Sequence, residues 1–241
     1  MSPINPVVVR LTLRVLLGRR RGLLFLALPA LVLLLALALR WAAGVDHIVT
    51  VSYLSTFAIA TVLPLLALIA GTGVIGPEID DGSIVYLLAK PVPRWHISVS
   101  KLLVAIGCVT VFGAVPIAAA ALLMSGTYGG IAIGFFVGAV LAGIGYCALF
   151  LLLAVVSRHA VVFGLTYALL WESLIGNFVP GAQTLSIQQW ALAVTERIVT
   201  VELPTASVSL RVAVPALVIV TVLASWYAGR RLRSLSLAAE E

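Results

Sequence analysis

Three carboxylates fall within four residues, at Glu78, Asp80 and Asp81, in a chain that is otherwise poor in acids. They open the one long polar interruption in the first two-thirds of the sequence, Gly76 to Lys101. After them come Gly82, a short apolar run from Ile84 to Leu88 that holds Tyr86 and Leu87, and then Lys90, Pro91, Pro93 and Arg94. A hydrophobic segment precedes this stretch and another follows it, so it reads as the working end of a membrane protein that the rest of the chain positions. One further acid, Glu172, lies inside an apolar segment as Trp171-Glu172-Ser173. A carboxylate in lipid is expensive and faces a cavity or a partner. Glu172 therefore lines a translocation path, takes up a proton, or is a structural carboxylate hydrogen-bonded to a neighbouring helix.

Enzyme chemistry finds no support in the remaining residues. His47, His96 and His159 sit in different loops and none has a partner at metal-ligand spacing. There is no HExxH, no GxSxG and no Gly-x-x-x-x-Gly-Lys phosphate loop, so no catalytic residue, metal or bound cofactor is expected on this chain. Gly71-Thr-Gly-Val-Ile-Gly76 matches GxGxxG by spacing alone. The dinucleotide fingerprint needs a short strand before it and a helix opening from it. Here a long apolar segment precedes it and Pro77-Glu78 follows. Cys108 and Cys147 lie inside apolar runs at similar depth in consecutive segments, and read as small buried side chains.

The elements that must hold these groups are set by composition. Of the 241 residues, 62% are hydrophobic and only 10% charged, against about 25% charged in an average soluble domain. Mean hydropathy is +1.19. Lipid, not water, is the solvent such a chain requires. Runs long enough to cross a bilayer, about 20 apolar residues each, fall at approximately 23–41, 52–75, 99–124, 131–156, 160–177 and 212–228. The first is too long for an ordinary signal h-region. The fourth carries Gly130, Gly134, Gly138 and Ala142 at four-residue spacing, which lets helices approach closely in lipid; packing within the bundle is the first expectation, a subunit interface the second. Pro29, Pro64, Pro116 and Pro215 fall within spans, where kinks are tolerated if neighbours satisfy the freed carbonyls. The polar stretch 178–211 is apolar enough in parts to re-enter the bilayer from the outer side.

Residues 5–21 begin Asn5-Pro6, a cap followed by a first-turn proline, and place Arg10, Arg14 and Arg21 on one face, as an interfacial amphipathic helix does. Arg10 and Arg14 are expected at the level where Glu78 leaves the second span, and a Glu–Arg pair there would tie the surface helix to the loop. Six spans put both termini on one side. Twelve of the fifteen Lys and Arg residues then share that side, and three (Arg40, Arg197, Arg211) lie opposite. The positive-inside rule makes the richer side cytoplasmic. The net charge of +6 follows the membrane in this way and does not call for nucleic acid.

Glu78, the spacer to Gly82, the Ile84–Leu88 run, Pro91, Arg94 and Lys101-Leu102-Leu103 resemble the signature of the ABC-2 type permeases, the membrane subunits of type V ABC exporters. The whole chain is similar in layout too. Asp80-Asp81 stands where that family often carries Lys, Arg or Glu, and Ser83 where it often has Thr. The resemblance implies an all-α membrane domain, 1–241, in the bacterial cell membrane. Its loop 76–98 would carry a coupling helix, about Gly82 to Ala89, that docks on a separate ATP-binding subunit through Glu78, Asp80, Asp81, Gly82, Tyr86, Leu87, Pro91, Arg94 and Lys101. It further implies two ATP-binding subunits carrying the ATP and Mg, a second permease, identical or related, and a cavity lined mainly by spans two and five, where Glu172 lies. The alternative is an ion- or proton-coupled secondary transporter using Glu172; such a protein normally shows several intramembrane ionisable groups and an internal repeat.

Overall fold

The computed structural model describes residues 12, 16, 18–76, 94–175, 181–200 and 208–237. The elements are helical, and no strand occurs among the described residues. They are α1 (Arg19–Ala43), α2 (His47–Gly73), α3 (94–125), α4 (Ile131–Val156), α5 (160–175), α6 (Ile187–Ile198) and α7 (Leu210–Leu237). Five are long and apolar enough to cross a membrane: Gly22–Ala42, His47–Gly73, Ser98–Ser125, Tyr128–Val156 and Leu210–Arg231. This is a multi-pass membrane protein.

Two of the expected spans differ from the structure in a way that has a cause. The second span begins at His47, not near Ser52. Asp46 takes an extended backbone and its carboxylate accepts the N–H groups of Ile48 (2.8 Å) and Val49 (3.3 Å), a side-chain cap that starts the helix a turn early. The stretch expected as the fifth span, 160–177, is described only as a helix over 160–175 whose apolar part is Ala160–Glu172. Sixteen residues span at most about 24 Å, short of the roughly 30 Å hydrocarbon core.

Helix α4 is the centre. It packs on α2, α3, α5, α6 and α7, while α1 lies outside on α3 and α2. Its small residues permit this. A Cβ at Gly71 of α2 would come within 2.8 Å of the Phe150 Cβ on α4, and one at Gly143 within 2.9 Å of Val109 on α3. The glycine row is spent inside the chain, as first expected: Gly134 and Gly138 face α6, meeting Val199 and Thr195.

Two prolines are housed by local widening. A π-helical segment over Leu54–Val62 runs into Leu63-Pro64, and another over Thr110–Ala114 runs into Val115-Pro116. Proline lacks an N–H and crowds the carbonyl one turn back; i→i+5 bonding in the preceding turn opens room for the ring. A third π segment, Tyr167–Ile175, forms the end of α5.

Polar groups at the end of the bundle that carries Arg40 close helix termini. Gly44 and Gly126 stop α1 and α3 at φ +71° and +62°, a backbone that glycine adopts without strain. Arg40 Nη1 donates to the Leu123 and Met124 carbonyls at the end of α3, where the helix dipole favours a cation.

Candidate functional site

Helix α6 runs antiparallel to α4 within the bundle. Ile187 lies against Gly145, Thr195 against Gly138 and Gly134, and the Ile198 carbonyl near Gly130. Gly145 is fourteen residues from the start of α4 at Ile131, about 21 Å along an axis of about 39 Å. The N-terminus of α6 therefore opens about halfway along α4, and the helix leads from there to the Arg40 end. Eight of its twelve residues are buried, including Gln188, Gln189 and Thr195. Polar side chains survive there because they are paired. Thr195 Oγ1 donates to the Gly134 and Ala191 carbonyls (3.2 and 3.0 Å), and Gln188 Nε2 to the Ser55 carbonyl of α2 (3.1 Å).

Glu172 closes this helix end. Its side chain is fully buried. Oε1 accepts from the Tyr167 hydroxyl (2.7 Å) and the Ile187 N–H (3.0 Å), while Oε2 accepts from the Ser186 hydroxyl (2.5 Å) and the Gln188 N–H (3.4 Å). The Ser186 oxygen in turn accepts from the Gln189 N–H at 3.3 Å. Three N–H groups of the first turn are thus satisfied, two by a carboxylate from another helix and one by the ordinary N-cap. A negative group at a helix N-terminus gains from the macrodipole as well. In this arrangement the carboxylate has no open face, and its geometry is that of a structural acid. Beside it, the buried Gln188 Oε1 has no hydrogen-bond partner among the described residues.

The open flank of the bundle lies along α2 and α5. On α2, Ser52 and Thr56 are exposed and Thr61 is partly so, followed by partly open Leu65 and Ile69. The spacing of Thr56 and Thr61 is five because the helix is π there, and the Thr61 hydroxyl turns back to the Thr56 carbonyl five residues before it. The hydroxyls thus form one stripe down an α2 whose other faces are buried. Helix α5 packs beside α2 and exposes Thr166 together with Val162, Phe163, Leu169 and Leu170.

Of the coupling and translocation residues expected from the sequence, Lys101 and Glu172 have described side chains. Lys101 is fully buried at the Arg158 end of the bundle, and its Nζ donates to the Val74 carbonyl at 2.6 Å. Val74 is the C-cap residue of α2, so the ammonium joins the start of α3 to the end of α2 beneath the surface. Arg94 begins α3, with its side chain outside the described residues. Glu78, Asp80, Asp81, Gly82, Tyr86, Leu87 and Pro91 lie outside the described residues, as do Arg10 and Arg14 of the expected surface helix. Among the described residues no cluster of three or more His, Cys, Asp or Glu side chains could hold a metal ion. The cap formed by Glu172 on α6 has a sequence signal, the buried acid, but nothing in the sequence names its partner.

Residues 26–231 match the family model described as ABC-2 family transporter protein. A comparison with individual curated proteins finds no match.

Proposed function

Because the chain belongs to the ABC-2 family of transporter proteins, and so is the permease component of an ABC transporter, we propose that it is half of the membrane part of an ATP-driven exporter. Two permeases, identical or related, enclose the path. Two separate ATP-binding subunits carry ATP and Mg and dock on the 76–101 loop. Their closure on ATP pushes the coupling helices, about Gly82 to Ala89, and switches the cavity between inward and outward access; hydrolysis resets it. Both termini are cytoplasmic, and α5 with α6 makes the fifth of six crossings.

The observation that supports this reading is the hydroxyl stripe of Ser52, Thr56 and Thr61 on α2, beside the exposed face of α5. The Thr56 and Thr61 hydroxyls donate to the Ser52 and Thr56 carbonyls of their own helix, which leaves their oxygens as acceptors on the open face of α2. Ser and Thr are enriched where helices meet or line a polar path. This flank is accordingly the side turned to the second permease and the transported molecule, with Glu172 holding the outer wall in place from behind. The secondary-transporter alternative needs a carboxylate that can load and release, whereas Glu172 accepts four hydrogen bonds in a closed site.

A gentle detergent pull-down from the native host, with ATPase activity assayed on the eluate, tests the proposal. A stoichiometric ATP-binding subunit that is lost on substituting Tyr86 and Leu87 is the expected result. A chain that elutes with no ATPase would overturn it.

A further inference from the structure

A groove of about 930 Å³ runs between the beginning of α3 and the end of α7. Its walls are Val99 and Leu102 from α3 and Val222 and Trp226 from α7, with Gly229 opening space and Arg230 at the mouth. Two further lining residues, Thr221 and Ser225, spend their hydroxyl protons on their own helix, on the Leu217 and Thr221 carbonyls at 2.8 and 2.6 Å. Their hydroxyl protons are spent, their oxygens remain as acceptors, and the other walls of the slot are apolar side chains.

The mouth is different. The Arg230 guanidinium lies 5.4 Å from the Trp226 ring centroid, stacked one turn above it. Both side chains are exposed. The stack holds a planar cation at the end of a membrane-spanning helix, where Trp is favoured at the lipid–water interface. From Thr221 to Arg230 is nine residues, about 14 Å of helix. One leaflet contributes about half of a roughly 30 Å hydrocarbon core. The slot therefore has the depth of one leaflet, with a phosphate-matching fork at headgroup level and apolar walls below.

We propose that this groove binds an anionic phospholipid of the arginine-rich leaflet, its phosphate against Arg230 and an acyl chain along Val99, Leu102 and Val222. Charge complementarity selects the lipid: a zwitterionic headgroup offers Arg230 no net charge, while an anionic one gains about fivefold in affinity from a single basic residue at the surface.

The test uses the full-length purified chain reconstituted in vesicles of brominated phosphatidylglycerol or brominated phosphatidylcholine, with tryptophan fluorescence as the readout. Trp226 is isolated as the difference between the wild type and Trp226→Phe. The expected result is that brominated phosphatidylglycerol quenches the Trp226 component at about fivefold lower mole fraction than brominated phosphatidylcholine. That preference falls to near parity in Arg230→Gln and survives in Arg230→Lys. Parity in the wild type overturns the proposal, as does a preference unchanged by Arg230→Gln. So does a Trp226 that neither lipid quenches, which would mean that protein covers the groove. Because Arg230 is exposed, its variants fold, and size-exclusion elution checks this. None of these outcomes depends on an ATP-binding partner, so the groove and the exporter reading fail separately.

Discussion

Glu172 and Ser186 together cap one helix from two directions. The serine hydroxyl donates to the Glu172 carboxylate and its oxygen receives the Gln189 N–H. The carboxylate takes the Ile187 and Gln188 N–H groups directly. An N-cap ordinarily lies at a wet surface; this one is buried halfway along α4, where each unsatisfied backbone group is costly. Glu172→Ala strips the Ile187 and Gln188 N–H groups and two hydroxyls of their acceptor. It should destabilise the protein by about 3 kcal/mol, and Glu172→Gln by about half of that, since one oxygen remains. Thermal unfolding in detergent measures both. Wild-type melting in Glu172→Ala would remove the structural role and return Glu172 to the translocation path.

The contact of Gly138 with Thr195 makes a second prediction. A Cβ at Gly138 meets the Thr195 hydroxyl and comes within 3.2 Å of the Ala191 carbonyl. Gly138→Val should push α6 away from α4, with a loss of about 1–3 kcal/mol, typical of overpacking. Gly138→Ala should be milder, and milder still on a Thr195→Ala background. The double-mutant cycle should return a coupling of about 1 kcal/mol. Strict additivity would mean that the two side chains do not share that space.

Lys101 is a buried ammonium that closes the end of α2 through the Val74 carbonyl. Lys101→Met keeps the stem's packing and loses the charge and this hydrogen bond. Lys101→Ala also leaves a cavity. The expected order is a loss of about 1 kcal/mol for Met, from the broken hydrogen bond, and about 3 kcal/mol for Ala, which adds the cavity. Unfolding midpoints in the reverse order would show that the charge, not the packing, dominates at this site.

For the loop, Glu78→Ala is expected to leave membrane insertion and complex assembly intact while transport is uncoupled from ATP hydrolysis. The comparison is substrate-stimulated against basal ATPase rate in the reconstituted complex. Stimulation equal to wild type would dismiss Glu78 as a coupling residue.

The helices long and apolar enough to cross a membrane were legible because lipid imposes a length and an apolar composition that no other environment explains; the first and third lie within a residue of the expected limits and the fourth begins three residues earlier. The start of α2 was not, because Asp46 acts through a side-chain cap outside the apolar run. The π segments were not either: proline marks a disturbance, but whether a helix kinks or widens depends on the room its neighbours leave. The sequence marks 178–211 as a polar stretch apolar enough in parts to re-enter the bilayer, but does not say what would bury Gln188, Gln189 and Thr195 of α6. The helix is buried because those groups find partners on α2, on α4 and on their own helix, and such long-range pairing has no local signature. Lys101 sat within a recognisable motif, yet its burial follows from where α3 meets α2, which the spacing does not encode.

The seating of α6 on the α4 glycines has a consequence for how the protein is made. Thr195 follows Gly134 by 61 residues, and ribosomes add about 5–20 residues per second. For roughly 3–12 s of synthesis, the Gly134–Gly138 face of α4 is in or near the membrane with α6 not yet made. During that interval the bare backbone groove of α4 must be tolerated by lipid or shielded by the insertion machinery, and it is closed only when the last buried helix arrives.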